Sequence, residues 1–462
     1  MFLPNPHLTL FVWFLLIAST ASRSLRGEEA QIPVSFREAI APLLLAQCQG
    51  CHGAESAKAD YRVDSYTELM RAADGEPPRV LPGQPKASLL HQLLVTSEED
   101  DRMPQQSAPI DPEQIKWVRR WITEGARFDG EDPSAPLVRL IPVRQYEPPP
   151  EKYLRPLPVT ALAFSADGTR LAAAGLREIT LWNPLNGRLL KRIPNMAQRI
   201  YALAWSPDGS QLFAAGGIPG ELGEARVFDP STGELLAVAH RAGDVALDIQ
   251  FNPDGSTFAV ADAENRIALY STADYSRLRL IDNHAGWVMA LAWSPDGKYL
   301  VSASRDKTVK IIEAKSGAAI STYGGHHAEV FGVAFASDGK EVFSAGRDGK
   351  IHVWKAGLAD TTGKRFGAEK MAELGGLGRS IARLRMAGDR LFSTAGEGRV
   401  RQHDSVSRQS LREFGEPGDW VQSLTYDASG CHLAAGGHDG RVRIWNTQNG
   451  EQVSEFTASP GW

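Results

Sequence analysis

Two hydrophobic patterns divide the chain. Over residues 34–128, apolar side chains such as Phe36, Ile40 and Leu43 recur at helical spacing, which predicts amphipathic helices. From about residue 151 onward, short segments alternate apolar and polar positions and end in turns, which predicts β-strands. The sequence therefore predicts a small all-α domain followed by a larger all-β domain.

The strand-rich part repeats one unit seven times. Each copy has an apolar segment, a turn of the Ser/Asn-Pro-Asp-Gly type, a second apolar segment and a later strand that usually ends in an aromatic residue. The turn glycines lie 41 to 49 residues apart, at Gly168, Gly209, Gly255, Gly297, Gly339, Gly388 and Gly430. A period of about 40–45 residues with four short strands per repeat is typical of WD-repeat β-propellers. We therefore predict a seven-bladed WD40 propeller over residues 151–462, with loop insertions at residues 218–223 and 358–370.

Polar residues recur at fixed places in these repeats. The matching positions are His326, Ser344, Asp348 and Trp354 in the fifth copy, His284, Ser302 and Asp306 in the fourth (where Ile312 replaces Trp), and Asp439 and Trp445 in the seventh. A Ser/His/Asp set also occurs in hydrolases, but recurrence at repeat positions indicates a structural brace within each blade.

The sequence does not decide how the propeller ring closes. Residues after 450 could form the last outer strand, or residues 138–143 could add a strand from the other end.

One short motif in the helical part carries chemistry. A capping box at Ser35 and Glu38 begins a helix that leads into the sequence CQGCH at residues 48–52. CxxCH is the attachment motif of c-type haem: the two thiols form thioethers, and the histidine becomes the proximal iron ligand. A redox-active disulfide or half of a zinc site would use the same cysteine spacing, but no βαβ pattern and no second Cys/His pair accompany it. The motif predicts one covalent haem c on Cys48, Cys51 and His52.

The helical part resembles the cytochrome c domain of planctomycete-type proteins. The resemblance rests on FREAIAPLLLAQCQGCHG, YRVDSYTELM, VLPGQPKASLLHQLL, DRMPQ and IDPEQIKWVRRWITEGARF, which follow in the family's order over residues 34–128. Gln105 departs from it, since the family usually has a second proline there. The resemblance implies that Met103 is the sixth iron ligand, with His91 and Met70 as alternatives. We set the domain at residues 31–130.

The last helix of this domain has clear end signals. Asp111 is the expected N-cap, Pro112 occupies the first turn and Gly125 ends the helix. Trp117 and Trp121 are four residues apart, and we expect both to be core or haem-wall residues.

The chain begins with an apolar run of 11 residues, 8–18, which is too short to span a bilayer. Small residues follow it, so residues 1–22 are predicted to be a signal peptide, with an uncleaved anchor as the alternative. The predicted location is periplasmic or otherwise extracytoplasmic.

Residues 131–150 contain several prolines and are predicted to be a semi-rigid linker.

Composition narrows the functional classes. Fifty basic and 55 acidic residues give a net charge of −5, so there is no basic footprint for nucleic acid. Three cysteines do not form a disulfide scaffold, and Cys431 is expected to be an unreactive strand residue.

These observations predict an exported monohaem cytochrome that transfers single electrons. The propeller would be a docking platform, and an unidentified redox protein would dock at the haem edge or a propeller face. A haem-based redox sensor or scaffold fits the same residues. A haem-dependent oxidoreductase subunit is disfavoured because Met103 would occupy the distal position, so no enzymatic activity is assigned.

Overall fold

The computed structural model describes residues 32–53, 56–72, 77–105, 109–357, 368–375, 380–394, 398–416 and 418–462. The predicted signal peptide at residues 1–22, and residues 358–367 of the second predicted insertion, lie outside the described residues. A π-helical turn, Phe36–Ile40, opens the first domain. The helices are α1 Ala41–Gln47, α2 Gln49–His52, α3 Tyr66–Met70, α4 Leu89–Val95, α5 Pro112–Thr123 and α6 Leu137–Leu140. A short strand, β1 Ser56–Ala57, and a 3₁₀ turn, Lys58–Asp60, follow α2.

The helical domain has one aromatic core. Phe36 and Trp121 are fully buried, with ring centroids 5.6 Å apart, so α5 packs across the helix that leads into the CxxCH motif. The predicted caps are present: the Ser35 hydroxyl accepts from the Glu38 amide, and the Asp111 carboxylate accepts from the Glu113 amide. Trp121 is a core residue but Trp117 is not, and a place in the haem wall stays a prediction for Trp117. Its side chain is 44% exposed, because the buried stripe of α5 turns toward Trp121 and leaves the other flank in solvent.

The second domain is a seven-bladed β-propeller, as predicted. Blade one has β2 Leu162–Phe164, β3 Leu171–Ala174, β4 Ile179–Trp182 and β5 Leu189–Ile193. Blade two has β6 Arg199–Trp205, β7 Leu212–Ile218, β8 Leu222–Phe228 and β9 Leu235–Ala242. Blade three has β10 Ala246–Phe251, β11 Thr257–Asp262, β12 Arg266–Ser271 and β13 Arg277–Asp282. Blade four has β14 Val288–Trp293, β15 Tyr299–Ser304, β16 Val309–Glu313 and β17 Ala319–Tyr323.

The remaining three blades repeat the same arrangement. Blade five has β18 Val330–Phe335, β19 Glu341–Gly346, β20 Ile351–Lys355 and β21 Lys370–Leu374. Blade six has β22 Leu384–Ala387, β23 Arg390–Thr394, β24 Val400–Asp404 and β25 Ser410–Phe414. Blade seven has β26 Val421–Tyr426, β27 His432–Gly437, β28 Arg441–Asn446 and β29 Gln452–Thr457. Each blade is a four-stranded antiparallel sheet of consecutive strands.

The ring closes without strand exchange. Blade seven takes its outer strand, β29, from the residues after 450, which is one of the two predicted arrangements. The alternative, a strand from residues 138–143, is wrong, because Val138 lies in α6. Blade one meets blade seven through β2 and β26. There the Ser423 hydroxyl donates to the carbonyl of Val159 at 2.6 Å.

Residues 131–150 do more than span two domains. Helix α6 lies within this range, and its Leu137 and Leu140 side chains complete the core of the helical domain. Val138, on the opposite side of the same helical turn, packs into the core between blades two and three. Further along, the Tyr146 hydroxyl donates to the buried carboxylate of Glu224 at 2.9 Å. The expected proline-rich spacer is therefore an ordered connection that contacts both domains.

The predicted braces are present in blades four and five. His326 bonds the Asp348 carboxylate through Nδ1 at 2.9 Å and the Ser344 hydroxyl through Nε2 at 2.8 Å. The indole N–H of Trp354 also reaches Ser344 Oγ, at 3.2 Å. His284 makes the equivalent pair of contacts in blade four. Because all these groups point at one another inside the blade, they stabilise the sheet and do not form a hydrolase site.

Candidate functional site

The CxxCH turn, residues 48–52, continues the first helix. The Cys48 amide donates to the carbonyl of Leu44 at 2.9 Å, and the Cys51 and His52 amides both donate back to the carbonyl of Cys48. This helical turn places Cys48 against the aromatic core, whereas Cys51 is exposed. The two thiols are thus presented from one turn, one at the wall of the core and one toward solvent.

His52 is oriented by backbone carbonyls. Its Nδ1 lies 3.1 Å from the carbonyl oxygens of both Lys58 and Tyr61. The Tyr61 ring stands edge-on to the imidazole at 5.8 Å. A carbonyl cannot donate a hydrogen bond, so Nδ1 carries a proton, and in the neutral ring Nε2 then keeps its lone pair. This is the tautomer that an imidazole needs in order to bind a metal through Nε2.

The cysteines do not resemble a disulfide-exchange pair. Both are free thiols, and burial together with the nearby Cys51 raises the pKa of Cys48 to about 12. Disulfide-exchange CxxC motifs instead lower the pKa of one thiol so that a thiolate forms. A zinc site is not assembled either. Within the described ranges, the one group of three clustered His, Cys, Asp or Glu ligand atoms involves the blade-five brace, not the CxxCH turn.

Met103 lies in a loop against the same core. Its amide donates to the carbonyl of Leu93 at 2.9 Å, which ties the loop to the end of α4, and its side chain is half-buried against the core cluster. His91 is also half-buried, on α4, and burial lowers its pKa. Met70, on α3, packs at the edge of the core. The roles of His52 and Met103 as iron ligands stay predictions.

The propeller contacts the CxxCH turn directly, and no pattern along the chain predicted this contact. The buried side-chain amide of Gln49 donates to the Asp274 carboxylate at 3.2 Å. Arg277, at the start of β13 in blade three, donates to the carbonyl of Ala46. A methyl group on Gly50 would approach the Arg277 carbonyl more closely than real Cβ atoms do. The middle of the CxxCH turn therefore packs on the outer strand of blade three.

The residues present fit a covalently attached haem. Two free thiols are offered from one helical turn, the adjacent imidazole has its Nδ1 proton committed to carbonyls, and a thioether lies at the same core. This donor set suits haem iron and does not match the closed tetrahedral sites that hold structural zinc. Cys48 and Cys51 would carry the porphyrin, and His52 Nε2 and Met103 Sδ would be the donors to its iron.

The architecture thus defines a class of protein: a small helical domain with a CxxCH turn, joined to a seven-bladed propeller. Residues 48–107 match the family model described as planctomycete cytochrome C. Residues 275–313, 317–355 and 408–446 match the WD domain, G-beta repeat. The chain therefore combines a cytochrome c domain of the planctomycete type with a WD40-repeat propeller. Of the helices in the described part of the chain, none is long and apolar enough to cross a membrane.

Proposed function

We propose that the chain is an exported electron-transfer protein with one haem c, held against a propeller that docks a redox partner. The observation that carries this proposal is the CxxCH turn with its carbonyl-oriented histidine. A cytochrome c domain is a haem-containing module, and cytochromes c mature outside the cytoplasm.

The protein's own residues divide the work at the site. Cys48 and Cys51 fix the porphyrin, and His52 is held in one tautomer by the carbonyls of Lys58 and Tyr61. When bound, haem c supplies a one-electron iron couple. The aromatic core around Phe36 keeps water from one side of the site, and a methionine ligand favours a higher reduction potential than a second histidine does.

A redox sensor is the second candidate. The observation that favours it is the packing of the CxxCH turn on blade three, since a change at the turn would reach the propeller through Gln49 and Gly50. A shuttle needs a partner that oxidises or reduces it rapidly. A sensor needs a partner whose affinity depends on the redox state.

The first experiment is a pyridine haemochrome spectrum. The chain should be made in a host with cytochrome c maturation and then extracted with acidified acetone. We expect one haem per chain to stay with the protein and to show the α-band of a haem attached through two thioethers. A haem-free protein would overturn the proposal.

Cysteine variants sharpen this test. Cys48→Ser and Cys51→Ser should each give little holoprotein, whereas Cys431→Ser, in blade seven, is the matched control and should load fully. Equal loading of all three variants would contradict covalent attachment. Mass spectrometry of the mature N-terminus tests export, because removal of residues 1–22 is the expected result.

A further inference from the structure

The central channel of the propeller contains a second polar site, separate from the CxxCH turn. A small, partly open polar cavity lies between the innermost strands β2, β6, β10, β22 and β26. Its charged lining residues are Asp248, Arg383 and Arg385. Arg383 directly precedes β22 and Arg385 lies within it, on either side of the buried Leu384, and both arginines line the cavity.

The arginines have weak partners. Arg383 donates to the carbonyls of Ala382 and Tyr201, both at 3.4 Å, and Arg385 donates to the carbonyl of Leu384 at 3.1 Å. In the parts of the chain that the structure describes, neither guanidinium has a carboxylate within 4.0 Å. The buried Arg226 of blade two shows the usual arrangement, with the Glu224 carboxylate at 2.8 Å. Arg383 and Arg385 are both half-buried, and a guanidinium that is partly removed from water without an anionic partner is costly.

Asp248 does not fill this gap. Its Oδ1 accepts from the Ile249 amide and the Gln250 side chain, and its Oδ2 accepts from the Leu291 amide of the next blade at 2.8 Å. The carboxylate is therefore committed to joining blades three and four. Burial lowers the pKa of Arg383, and the charge of Arg385 lowers it further while Asp248 opposes the shift.

Two hydroxyls of the cavity lining have also used their protons. Ser423 donates to the carbonyl of Val159, and Thr160 donates to the carbonyl of Ile200. The unused hydrogen-bonding capacity of the lining is therefore mainly the N–H groups of two cationic side chains. A ligand for this site must accept hydrogen bonds, carry negative charge and be small.

We propose that Arg383 and Arg385 form a binding site for a small oxyanion, of the phosphate or carboxylate type, in the propeller channel. Guanidinium groups bind the oxygens of planar carboxylates or tetrahedral phosphates through paired hydrogen bonds. An anion bound here would connect blade six to the other innermost strands that line the channel. It would also neutralise the charges of the two arginines and stabilise the ring. The site does not depend on haem.

Titration calorimetry on the full-length holoprotein tests the proposal, with inorganic phosphate in one arm and succinate in the other. Ionic strength is held constant with sodium chloride. Arg385→Gln should weaken binding by about tenfold to a hundredfold, since a charge-assisted contact is lost. Arg385→Lys keeps the charge and should bind with intermediate affinity, and Arg188→Gln, at an exposed turn of blade one, should bind like the parent chain.

The outcomes distinguish a phosphate site, a carboxylate site and the absence of a site. Binding of phosphate alone would assign the site to a phosphate-type ion. Binding of succinate alone would assign it to a carboxylate, and either result supports the site. No heat from either anion, or equal affinity in the parent and in Arg385→Gln, would overturn it. Thermal unfolding of each variant without anion shows whether it is folded, and Arg385→Lys provides the test if Arg385→Gln is not.

Discussion

Replacing Gly50 by alanine tests the contact between the CxxCH turn and the propeller, because two physical effects predict opposite signs. Gly50 lies inside helix α2, where alanine is normally more stable than glycine by about 0.5–1 kcal/mol. The new methyl group would overlap the backbone carbonyl of Arg277, which is not the flexible end of a side chain. Helix propensity therefore predicts a gain in stability, and packing predicts a loss.

The packing effect should be larger. Relieving the overlap requires the two backbones to separate by about 1 Å, which forfeits a quarter to a half of the attraction between the atoms concerned. Overpacking of this kind costs about 1–3 kcal/mol. Subtracting the helix gain of about 0.5–1 kcal/mol leaves a cost of about 0–2.5 kcal/mol, so we expect Gly50→Ala to lower the free energy of unfolding by about 1 kcal/mol and to speed proteolysis within residues 141–150.

The assay is urea unfolding of the full-length holoprotein, with limited proteolysis in parallel. Gly324→Ala is the matched control, since a methyl group there meets no atom within 4 Å. That control should lie within about 0.5 kcal/mol of the parent. A Gly50→Ala protein that is as stable as the parent or more stable, with an unchanged proteolysis rate, would refute the packing of the turn on blade three.

Three further predictions concern the haem ligand, a blade brace and acid stability. Met103→Ala should keep its haem but lower the reduction potential and remove the red charge-transfer band, whereas Met70→Ala should leave that band unchanged; a retained band in the first variant would exclude Met103 as ligand. Ser344→Ala removes the partner of His326 Nε2 and should lower the free energy of unfolding by about 1–3 kcal/mol in urea titrations. Burial lowers the pKa of His352 to about 4, so the unfolded state, whose histidine titrates near 6.5, binds the extra proton first. The free energy of unfolding should therefore fall as the pH drops from about 6.5 to 4, and His352→Gln should show a shallower fall in its urea midpoint over that range.

Features that depend on neighbouring residues could be predicted from the sequence. The caps at Ser35 and Asp111 involve residues two or three positions apart, so their pattern is visible in the chain. The seven turn glycines recur every 41 to 49 residues, and the brace residues keep their places within the repeat, which made both the blade number and the brace predictable. The spacing of the residues in the CxxCH motif likewise identifies the candidate haem residues before the fold is known.

Features that depend on distant partners could not be predicted. Gln49 and Asp274 are 225 residues apart, and no periodic pattern relates them. Trp117 and Trp121 look equivalent on a helical repeat, and only the packing of the first domain decides that one is exposed. Helix α6 has four residues, too few to show a helical period, and the nearby prolines favoured an extended reading. The channel arginines lie at the start of an ordinary strand of blade six, and nothing local in the sequence shows that the closed ring places them beside blade two.

The contiguity of every blade has a consequence for how the ring comes apart. Many closed structures are locked by a strand that crosses from one end of the chain to the other, and opening them means pulling that strand out. Here blades one and seven only touch, clasped by contacts such as the amide of Leu157 on the Ser459 hydroxyl at 3.1 Å. The contact between blades one and seven can therefore separate while all seven sheets stay intact. A pulling force applied across residues 157 and 459 should reveal this as an early extension at low force, before any blade unravels.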